Sequence, residues 1–400
     1  MAELIRQKHE QAAALVAESG FDVWLTFVRE TSGGGDPVLP FLLDGGLTWI
    51  SALMVSRAGE RIAVVGNYDA DPLIASGHWT KVVPYVQSIR KPLLNELERM
   101  CGERPRIAVN FSTDDVKSDG LTHGMYLLLR SLLAGTRFDD ALVSAEDVTM
   151  RLRGQKTDEE IRRLRRAIDE TERLFVEASD LMRVGVTERA IYDRIQTKMD
   201  AHGFGYGWDR AGNPIVNTGP DSMIGHGVPS STLTIQPGHL VHIDLGVVTE
   251  GYSSDIQRCW YMPEPGETSL PEDVARGLEA VNAAIGAGAA HLKPGVEGWV
   301  VDAAARATLV GYGYDEYLHA LGHQVGRMAH DGGAILGPRW ERYGRTPDLP
   351  VREREVYTLE LGVTLPKRGY LGIEEMVVVT DDGCEFLTSR QLSIPLLRPT

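Results

Sequence analysis

The chain has 400 residues, of which 43% are hydrophobic, and its 41 basic and 56 acidic residues give a formal net charge of −15 at pH 7. This length allows two domains with sizeable cores, and an acidic chain without a block of Lys or Arg argues against nucleic acid or a membrane as a partner. Three cysteines without a C-x-x-C spacing argue against a disulfide framework or a cysteine zinc site and fit a reducing compartment.

The first part of the chain alternates helical and strand patterns. Strand-like segments cover residues 21–28, 47–67 and 104–112, and helical segments cover 3–19, 92–100 and 124–133. This alternation is typical of an α/β domain. The first helical segment is charged and lacks the continuous apolar run of a signal peptide, so we expect a cytoplasmic protein.

The composition changes near residue 150, where charged residues become frequent. Thr157 followed by Glu160 has the pattern of a capping box ahead of a long amphipathic helix. Further on, a pair of helical patterns at 271–289 and 297–313 precedes a closing run of strands. We therefore predict an N-terminal domain over residues 1–150 and a second domain over residues 151–400.

Two aspartates lie on either side of a predicted turn in the segment HIDLGVVTEGYSSDIQR. If the turn centres on Thr249 and Glu250, Asp244 and Asp255 are directly opposite each other on neighbouring strands. Like charges opposed in this way destabilise a hairpin. Two explanations remain open at this point: an exposed acidic pair neutralised by solvent or by Arg258, and a pair that holds a cation.

Further possible ligands lie in two later segments. The segment HALGHQVGRMAHDGG contains three histidines, His319, His323 and His330. The segment YTLELGVTLPKRGYLGIEE places Glu360 on one strand and both Glu374 and Glu375 on the next, and strand pairing alone does not choose between the last two. Four carboxylates beside one imidazole on one sheet would have a high electrostatic cost unless cations neutralise the carboxylates. This set of ligands suits two divalent metal ions bridged by carboxylates.

The order of these residues resembles that of the pita-bread metallopeptidases, which include methionine aminopeptidase, Xaa-Pro aminopeptidase and prolidase, with creatinase as a metal-free relative. The segments RGQKTDEEIRRLRRA, HGVPS, QPGHLVHIDLG and YSSDIQRCW extend the resemblance over the whole chain. It implies an α/β protein of two domains: a small creatinase-like N-terminal α/β domain and a C-terminal pita-bread α/β domain with a curved antiparallel sheet. It also implies a homodimer with two divalent metal ions per chain, Mn²⁺ being favoured over Zn²⁺ or Co²⁺.

The same resemblance assigns expected roles to individual residues. GIEEMVVVT matches the family pattern I-E-E/D-x-V-x-V-T, which implies Glu374 as the ligand. The implied metal ligands are Asp244, Asp255, His323, Glu360 and Glu374, with Asp255 and Glu374 bridging both ions. The implied catalytic residues are His226, His319, His330 and Glu360. No family position matches His239, His242 or His291, which we interpret as structural residues.

Two segments depart from the pattern of the proline-directed enzymes. Leu361 and Thr364 stand where Pro and Tyr are usual, and Gly372 stands where Arg is usual. In the family, that Tyr and Arg support the metal-binding carboxylates, and loss of such support weakens metal binding or changes reactivity. We therefore expect the departures to affect substrate preference and metal affinity more than the reaction itself.

The resemblance implies a metal-dependent hydrolase that cleaves the Xaa-Pro peptide bond with an activated hydroxide. Glu360 would take the proton of the attacking water, and His226 and His330 would hold the substrate carbonyl. The size and the two-domain layout resemble prolidase and favour dipeptides, with an Xaa-Pro aminopeptidase acting on longer peptides as the alternative. A binding protein without catalysis and a metal-independent amidinohydrolase are further alternatives, and retention of all five ligands disfavours both.

Overall fold

The computed structural model describes residues 2–225 and 227–398. The chain divides into two compact units, Met1–Arg153 and Gly154–Thr400. This division lies close to the domain boundary predicted at 150/151. In the described parts of the chain, no helix combines the length and the apolar character needed to cross a membrane.

The first unit is a mixed six-stranded sheet with helices on both faces. Its helices are α1 (Ala2–Ser19), α2 (Leu39–Leu42), α3 (Ala70–Ser76), α4 (Arg90–Met100), α5 (His123–Leu133) and α6 (Glu146–Gly154). Its strands are β1 (Val23–Val28), β2 (Ser51–Ser56), β3 (Arg61–Gly66), β4 (Lys81–Tyr85), β5 (Ile107–Val109) and β6 (Leu142–Ser144), in the order β4-β3-β2-β1-β5-β6. One face packs on α1 and the other on α4 and α5, so both faces of the sheet are buried.

The second unit combines long helices with three antiparallel sheets of three strands. Its helices are α7 (Asp158–Ser179), α8 (Glu188–His202), α9 (Glu272–His291) and α10 (Gly298–Gly311). Its strands are β7 (Gly205–Tyr206), β8 (Ile215–Thr218), β9 (Leu240–Leu245), β10 (Val247–Thr249), β11 (Tyr252–Ser253), β12 (Ile256–Tyr261), β13 (Val356–Leu365), β14 (Gly369–Val379) and β15 (Cys384–Phe386). The sheets have the strand orders β11-β10-β7, β12-β9-β8 and β13-β14-β15.

The helix that opens the second unit begins as predicted. The Thr157 hydroxyl accepts a hydrogen bond from the Glu160 backbone N–H, and the Glu160 carboxylate accepts one from the Thr157 backbone N–H. The predicted capping box at the start of α7 is therefore confirmed, since two backbone donors that the helix leaves free are both satisfied.

The hairpin that carries the two aspartates turns one residue later than predicted. Glu250 and Gly251 occupy the turn with φ values of 50° and 77°, and Thr249 pairs with Tyr252. A two-residue turn of this kind needs positive φ at both central positions, and Gly adopts that conformation without steric cost. The pair Glu-Gly therefore determines the turn, and the prediction that Thr249 and Glu250 form its centre is wrong.

This shift changes the relation between the two aspartates. Asp244 on β9 pairs with Gln257 on β12, so the prediction that Asp244 and Asp255 are directly opposite is wrong. Asp255 lies two residues before Gln257 and is therefore the diagonal neighbour of Asp244 on the same face. The two carboxylates still share one face because a shift of two residues in pairing preserves the strand period of two.

The last hairpin has Glu360 and Glu374 on one face and apolar core residues on the other. Glu360 on β13 pairs directly with Glu374 on β14. The neighbouring Leu361 and Ile373 also pair and are buried in the core formed with α9 and α10. Leu361, one of the departures from the family pattern, is thus a core residue, while the two glutamates face away from this core.

Candidate active site

A cavity of about 700 Å³ in the second unit collects most of the predicted site residues. Its wall includes Asp244, Asp255, His319, His323, His330, Glu360 and Glu374. The remaining predicted residue, His226, lies outside the described residues. These predicted residues come from β9, from the position just before β12, from β13 and β14, and from the loop between α10 and β13.

Three of the predicted metal ligands are close enough to share one ion. Asp255, His323 and Glu374 each offer a ligand atom, and these atoms lie within 4.8 Å of one another. His323 Nε2 is 3.3 Å from Glu360 Oε1 and 3.7 Å from Asp255 Oδ2. Carboxylate oxygens combined with one imidazole nitrogen suit divalent ions such as Mn²⁺, Zn²⁺ or Co²⁺.

Burial and mutual repulsion control the ionisation of the carboxylates. Burial raises the pKa of Asp244 well above its ordinary value, and the charge of Glu360 raises it further. The pKa values of Asp255 and Glu374 are also raised, first by burial and then by the neighbouring carboxylates. Burial opposes ionisation of Glu360 as well, but a hydrogen bond and the charge of His323 lower its pKa overall.

In the cavity wall, two buried carboxylate oxygens have no hydrogen-bond partner among the described residues, Asp244 Oδ1 and Glu374 Oε2. A buried acceptor without a donor is costly, and a carboxylate in this position is stabilised by a cation. Both oxygens belong to residues that line the same cavity as His323. The residues present therefore fit a divalent metal ion by their chemistry as well as by their spacing.

The histidine loop is fixed by contacts with β13. The backbone N–H of His323 donates to Thr358 Oγ1 at 3.1 Å, and the Thr358 backbone N–H donates to the His323 carbonyl at 3.0 Å. A Cβ atom at Gly322 would lie 1.9 Å from the Thr358 carbonyl oxygen. Only glycine permits this close approach, which brings the His323 ring to the cavity.

The other two histidines of the loop have different surroundings. The rings of His323 and His330 have centroids 4.2 Å apart at an angle of 70°, which places His330 beside the predicted ligand. His319 Nδ1 lies 2.7 Å from the Ala320 carbonyl oxygen, so this nitrogen donates there. Both rings line the cavity next to the carboxylates.

Arg258 does not neutralise the two aspartates. Its guanidinium donates to Glu375 Oε2 at 2.9 Å and to the Glu374 and Ser389 carbonyl oxygens. Glu375 pairs with Leu359, so it lies on the face opposite to Glu374. The alternative in which Arg258 balances an exposed acidic pair is therefore excluded.

Sequence reasoning missed several polar and aromatic residues of the cavity wall: Asn217, Gln257 and Tyr370, together with His242, which we interpreted as structural. His242 and Asp244 are two residues apart on β9, as Gln257 and Asp255 are around the start of β12. The strand period of two places each pair on one face. The strand period of two was thus the sequence signal that could have identified His242 and Gln257 as residues of the cavity wall. Burial lowers the pKa of His242 to about 4, so its imidazole is neutral at pH 7.

Comparison with known proteins places this geometry in a family. The sequence profile of metallopeptidase family M24 matches residues 162–381. An Xaa-Pro dipeptidase of Pyrococcus furiosus is 32% identical over 247 residues, which are 62% of this chain and 66% of that relative, just under two thirds of its length. An Xaa-Pro dipeptidase of Lactobacillus delbrueckii subsp. lactis is 31% identical over 284 residues, which are 70% of this chain and 72% of that relative.

The fold also agrees with a solved structure of this kind. The crystal structure of the X-Pro aminopeptidase from Thermotoga maritima MSB8 matches with a TM-score of 0.69 and 25% identity, over 97% of this chain and 99% of that chain. The expected α/β pita-bread fold is confirmed by this match. Because the family profile covers more than half of the sequence, and the Lactobacillus relative covers more than two thirds of it, this chain belongs to metallopeptidase family M24.

Proposed function

We propose that this protein hydrolyses the Xaa-Pro bond of dipeptides with two divalent metal ions, Mn²⁺ being favoured. The observation that carries the proposal is the convergence of Asp255, His323 and Glu374, whose ligand atoms lie within 4.8 Å of one another. Asp244 and Glu360 complete the proposed ligand set on the same cavity wall. When bound, the ions would lower the pKa of water and polarise the peptide carbonyl.

Residues of the protein itself would accept and transfer protons and position the substrate. Glu360 has a lowered pKa, so it is ionised at neutral pH and can accept a proton from water. It would pass that proton to the leaving proline nitrogen. His330, whose ring lies beside that of His323, would hold the substrate carbonyl together with His226, and His319 would line the same pocket.

The proposed dipeptidase has two functional alternatives, an aminopeptidase and a binding protein. An Xaa-Pro aminopeptidase would act on longer peptides, and the match to the Thermotoga X-Pro aminopeptidase favours it. A binding protein on the same fold would keep the cavity without catalysis, but the two orphaned carboxylate oxygens support a metal site instead. A cytoplasmic location and a homodimer complete the proposal, with a proline-containing dipeptide or short peptide as the substrate.

Turnover of Ala-Pro and Ala-Pro-Ala by purified protein loaded with Mn²⁺ tests the proposal. We expect Ala-Pro to be cleaved with the higher kcat/KM, and Ala-Ala, which lacks proline, to be cleaved poorly. Preference for Ala-Pro-Ala would replace the dipeptidase with the aminopeptidase. Failure to cleave any of the three peptides, in protein that binds the metal, would support the binding protein.

A further inference from the structure

A chain of hydrogen bonds runs along the cavity wall to Glu360. Gln257 Nε2 donates to Glu360 Oε2 at 3.0 Å. His242 Nε2 lies 3.0 Å from Gln257 Oε1, and His242 Nδ1 lies 3.1 Å from Asn217 Oδ1. All four side chains line the cavity, and Asn217, His242 and Gln257 are buried. Gln257 and His242 thus connect β12 and β9 to the carboxylate on β13.

The direction of the contact between Gln257 and Glu360 is fixed. A carboxylate only accepts hydrogen bonds, so the amide nitrogen of Gln257 must point to Glu360 and its oxygen to His242. A neutral imidazole has one N–H, and with that proton on Nε2 the His242 ring donates to Gln257 Oε1, which limits the movement of the Gln257 side chain. Asn217 Nδ2 donates to the Met223 carbonyl oxygen at 2.8 Å, so the Asn217 oxygen faces His242 Nδ1 without a proton between them.

Tyr370 and two glycines leave room for the hydrogen-bonded side chains of Gln257 and His242. A Cβ atom at Gly372 would lie 2.9 Å from both Gln257 Oε1 and His242 Nε2 and 2.4 Å from Tyr370 Cε1. A Cβ atom at Gly362 would lie 2.4 Å from the Tyr370 hydroxyl oxygen. The Tyr370 ring meets the His242 ring edge-on, with centroids 5.0 Å apart. An Arg at position 372, as in the family pattern, would collide with this arrangement.

The two oxygens of Glu360 have different partners. Oε1 lies 3.3 Å from His323 Nε2, on the side of the predicted ligands, and Oε2 accepts the hydrogen bond from Gln257. A carboxylate held on one oxygen cannot rotate freely about its terminal bond. The Gln257 contact therefore determines which oxygen of Glu360 is presented to His323 and to the predicted metal site.

We propose that Gln257, backed by His242, is a positioning residue that orients Glu360 for metal binding and proton transfer. This role rests on the proposed function of Glu360. Gln257 and His242 occupy the space beside Gly372, where the family pattern has Arg, so in this protein they provide a different support for a metal-binding carboxylate. Hydrogen-bond partners of a ligating carboxylate influence metal affinity, and their loss lowers it by about 10–100-fold.

Gln257→Met tests the role because Met has a similar length and no hydrogen-bond donor. We expect Mn²⁺ affinity, measured by calorimetric titration of metal-free protein, to fall by about 10–100-fold. With saturating metal, kcat for Ala-Pro should fall while KM changes little, since Glu360 acts in the reaction and not in substrate binding. Mn²⁺ affinity and kcat both within about threefold of wild type would overturn the proposal.

Gln391→Met is the matched control. The Gln391 amide exchanges two hydrogen bonds of 2.8 Å with the backbone of Cys259, on the same strand as Gln257, and it does not line the cavity. We expect this variant to lower the melting temperature and to keep the wild-type Mn²⁺ affinity. An equal loss of Mn²⁺ affinity in both variants would mean that Gln257 acts only through the stability of β12.

A double variant tests whether the side chains act together. If His242 acts through Gln257, Gln257→Met combined with His242→Phe should bind Mn²⁺ about as weakly as Gln257→Met alone. If the losses of Mn²⁺ affinity were instead additive, His242 would not act through Gln257. The metal titration is also independent of the substrate: weakened binding in Gln257→Met supports the inference even if Xaa-Pro peptides are not cleaved. Wild-type protein that binds no Mn²⁺ would overturn both the inference and the proposed function.

Discussion

The buried carboxylates of Asp244, Asp255 and Glu374 have raised pKa values because burial and mutual repulsion disfavour their charged forms. In the absence of metal, this arrangement costs folding free energy at neutral pH. A divalent ion would remove the cost by neutralising the charges and by filling the coordination of the orphaned oxygens. The same residues therefore predict a stability that depends on both pH and metal.

Metal-free protein should lose stability as the pH rises. A carboxyl group with a raised pKa holds its proton in the folded state, so its stabilising effect is present below the ordinary pKa and is lost as the pH rises through the raised value. We expect the melting temperature of chelator-treated protein to be lower at about pH 8 than at about pH 5. Asp244→Asn should reduce this difference, because one titrating group is removed.

Glu360 contributes with the opposite sign because its pKa is lowered. Its stabilising contribution is complete above the ordinary pKa of a glutamate, about 4.3, and is lost only at lower pH, so it does not change the trend between about pH 5 and about pH 8. A melting temperature that increases from about pH 5 to about pH 8 in metal-free protein, or an unchanged trend in Asp244→Asn, would contradict this electrostatic account.

His330 should separate metal binding from catalysis. Its ring packs against His323 but it is expected to contact substrate, so His330→Ala should keep both ions while kcat/KM for Ala-Pro falls by roughly 10²-fold. Metal analysis and kinetics on one preparation check this, with His291→Ala, an exposed histidine on α9, as the control. Loss of metal from the His330→Ala variant would indicate that His330 is a metal ligand. That result would contradict the proposed separation of metal binding from substrate contact.

At the scale of single residues, the family resemblance singled out acids and histidines of the cavity wall but none of its neutral residues. Those acids and histidines stand in an order that resembles the family, and all of them that the structure describes line one cavity. Gln257, Asn217 and Tyr370 belong to no such pattern, and their positions depend on contacts between strands distant in sequence. His226 lies outside the described residues, and its assignment stays a prediction.

Strand pairing determines how the side chains of the site meet. The alternation of residues predicted correctly that Asp244 and Asp255 share a face, but the direct pairing was wrong because the turn centres on Glu250 and Gly251. Pairing across the last hairpin then places Glu374 opposite Glu360, a choice that strand counting left open. The period of two is a robust signal, whereas register depends on the conformation of a few turn residues.

Gly251→Ala should disturb the site from a distance. Its φ of 77° is unfavourable for Ala, and the new Cβ would lie 3.1 Å from Arg327 Nη2. We expect a stability loss of about 1–3 kcal/mol and a weaker Mn²⁺ affinity, because the turn sets the spacing of Asp244 and Asp255. Chemical denaturation and metal titration measure the two effects.

Gly295→Ala provides the comparison for that variant. Gly295 has a φ of 85°, lies between α9 and α10, and has open space where its Cβ would be. It should lose a similar stability and keep the wild-type Mn²⁺ affinity. If Gly251→Ala also keeps that affinity, the hairpin turn does not control the metal site.

For the whole molecule, the patterns of the sequence indicated two units of different construction, and each has the expected class of secondary structure. The first unit has a mixed sheet with parallel pairs, whereas the strands of the second unit, as far as the structure describes them, pair antiparallel within their sheets. Parallel pairing follows from alternating helices and strands, which the periodicity reveals. The assembly of β8, β9, β12, β13 and β14 around one cavity depends on long-range packing, which no local pattern contains.

The metal content of the protein that hydrolyses Ala-Pro tests the central claim most directly. The five proposed ligands, two of them proposed as bridges, exceed the needs of one ion, so we expect about two equivalents of divalent metal per chain. Removing the metal with a chelator should abolish hydrolysis, and adding Mn²⁺ should restore it in proportion to the metal bound. Active protein that retains full Ala-Pro hydrolysis with no bound divalent metal would contradict the account.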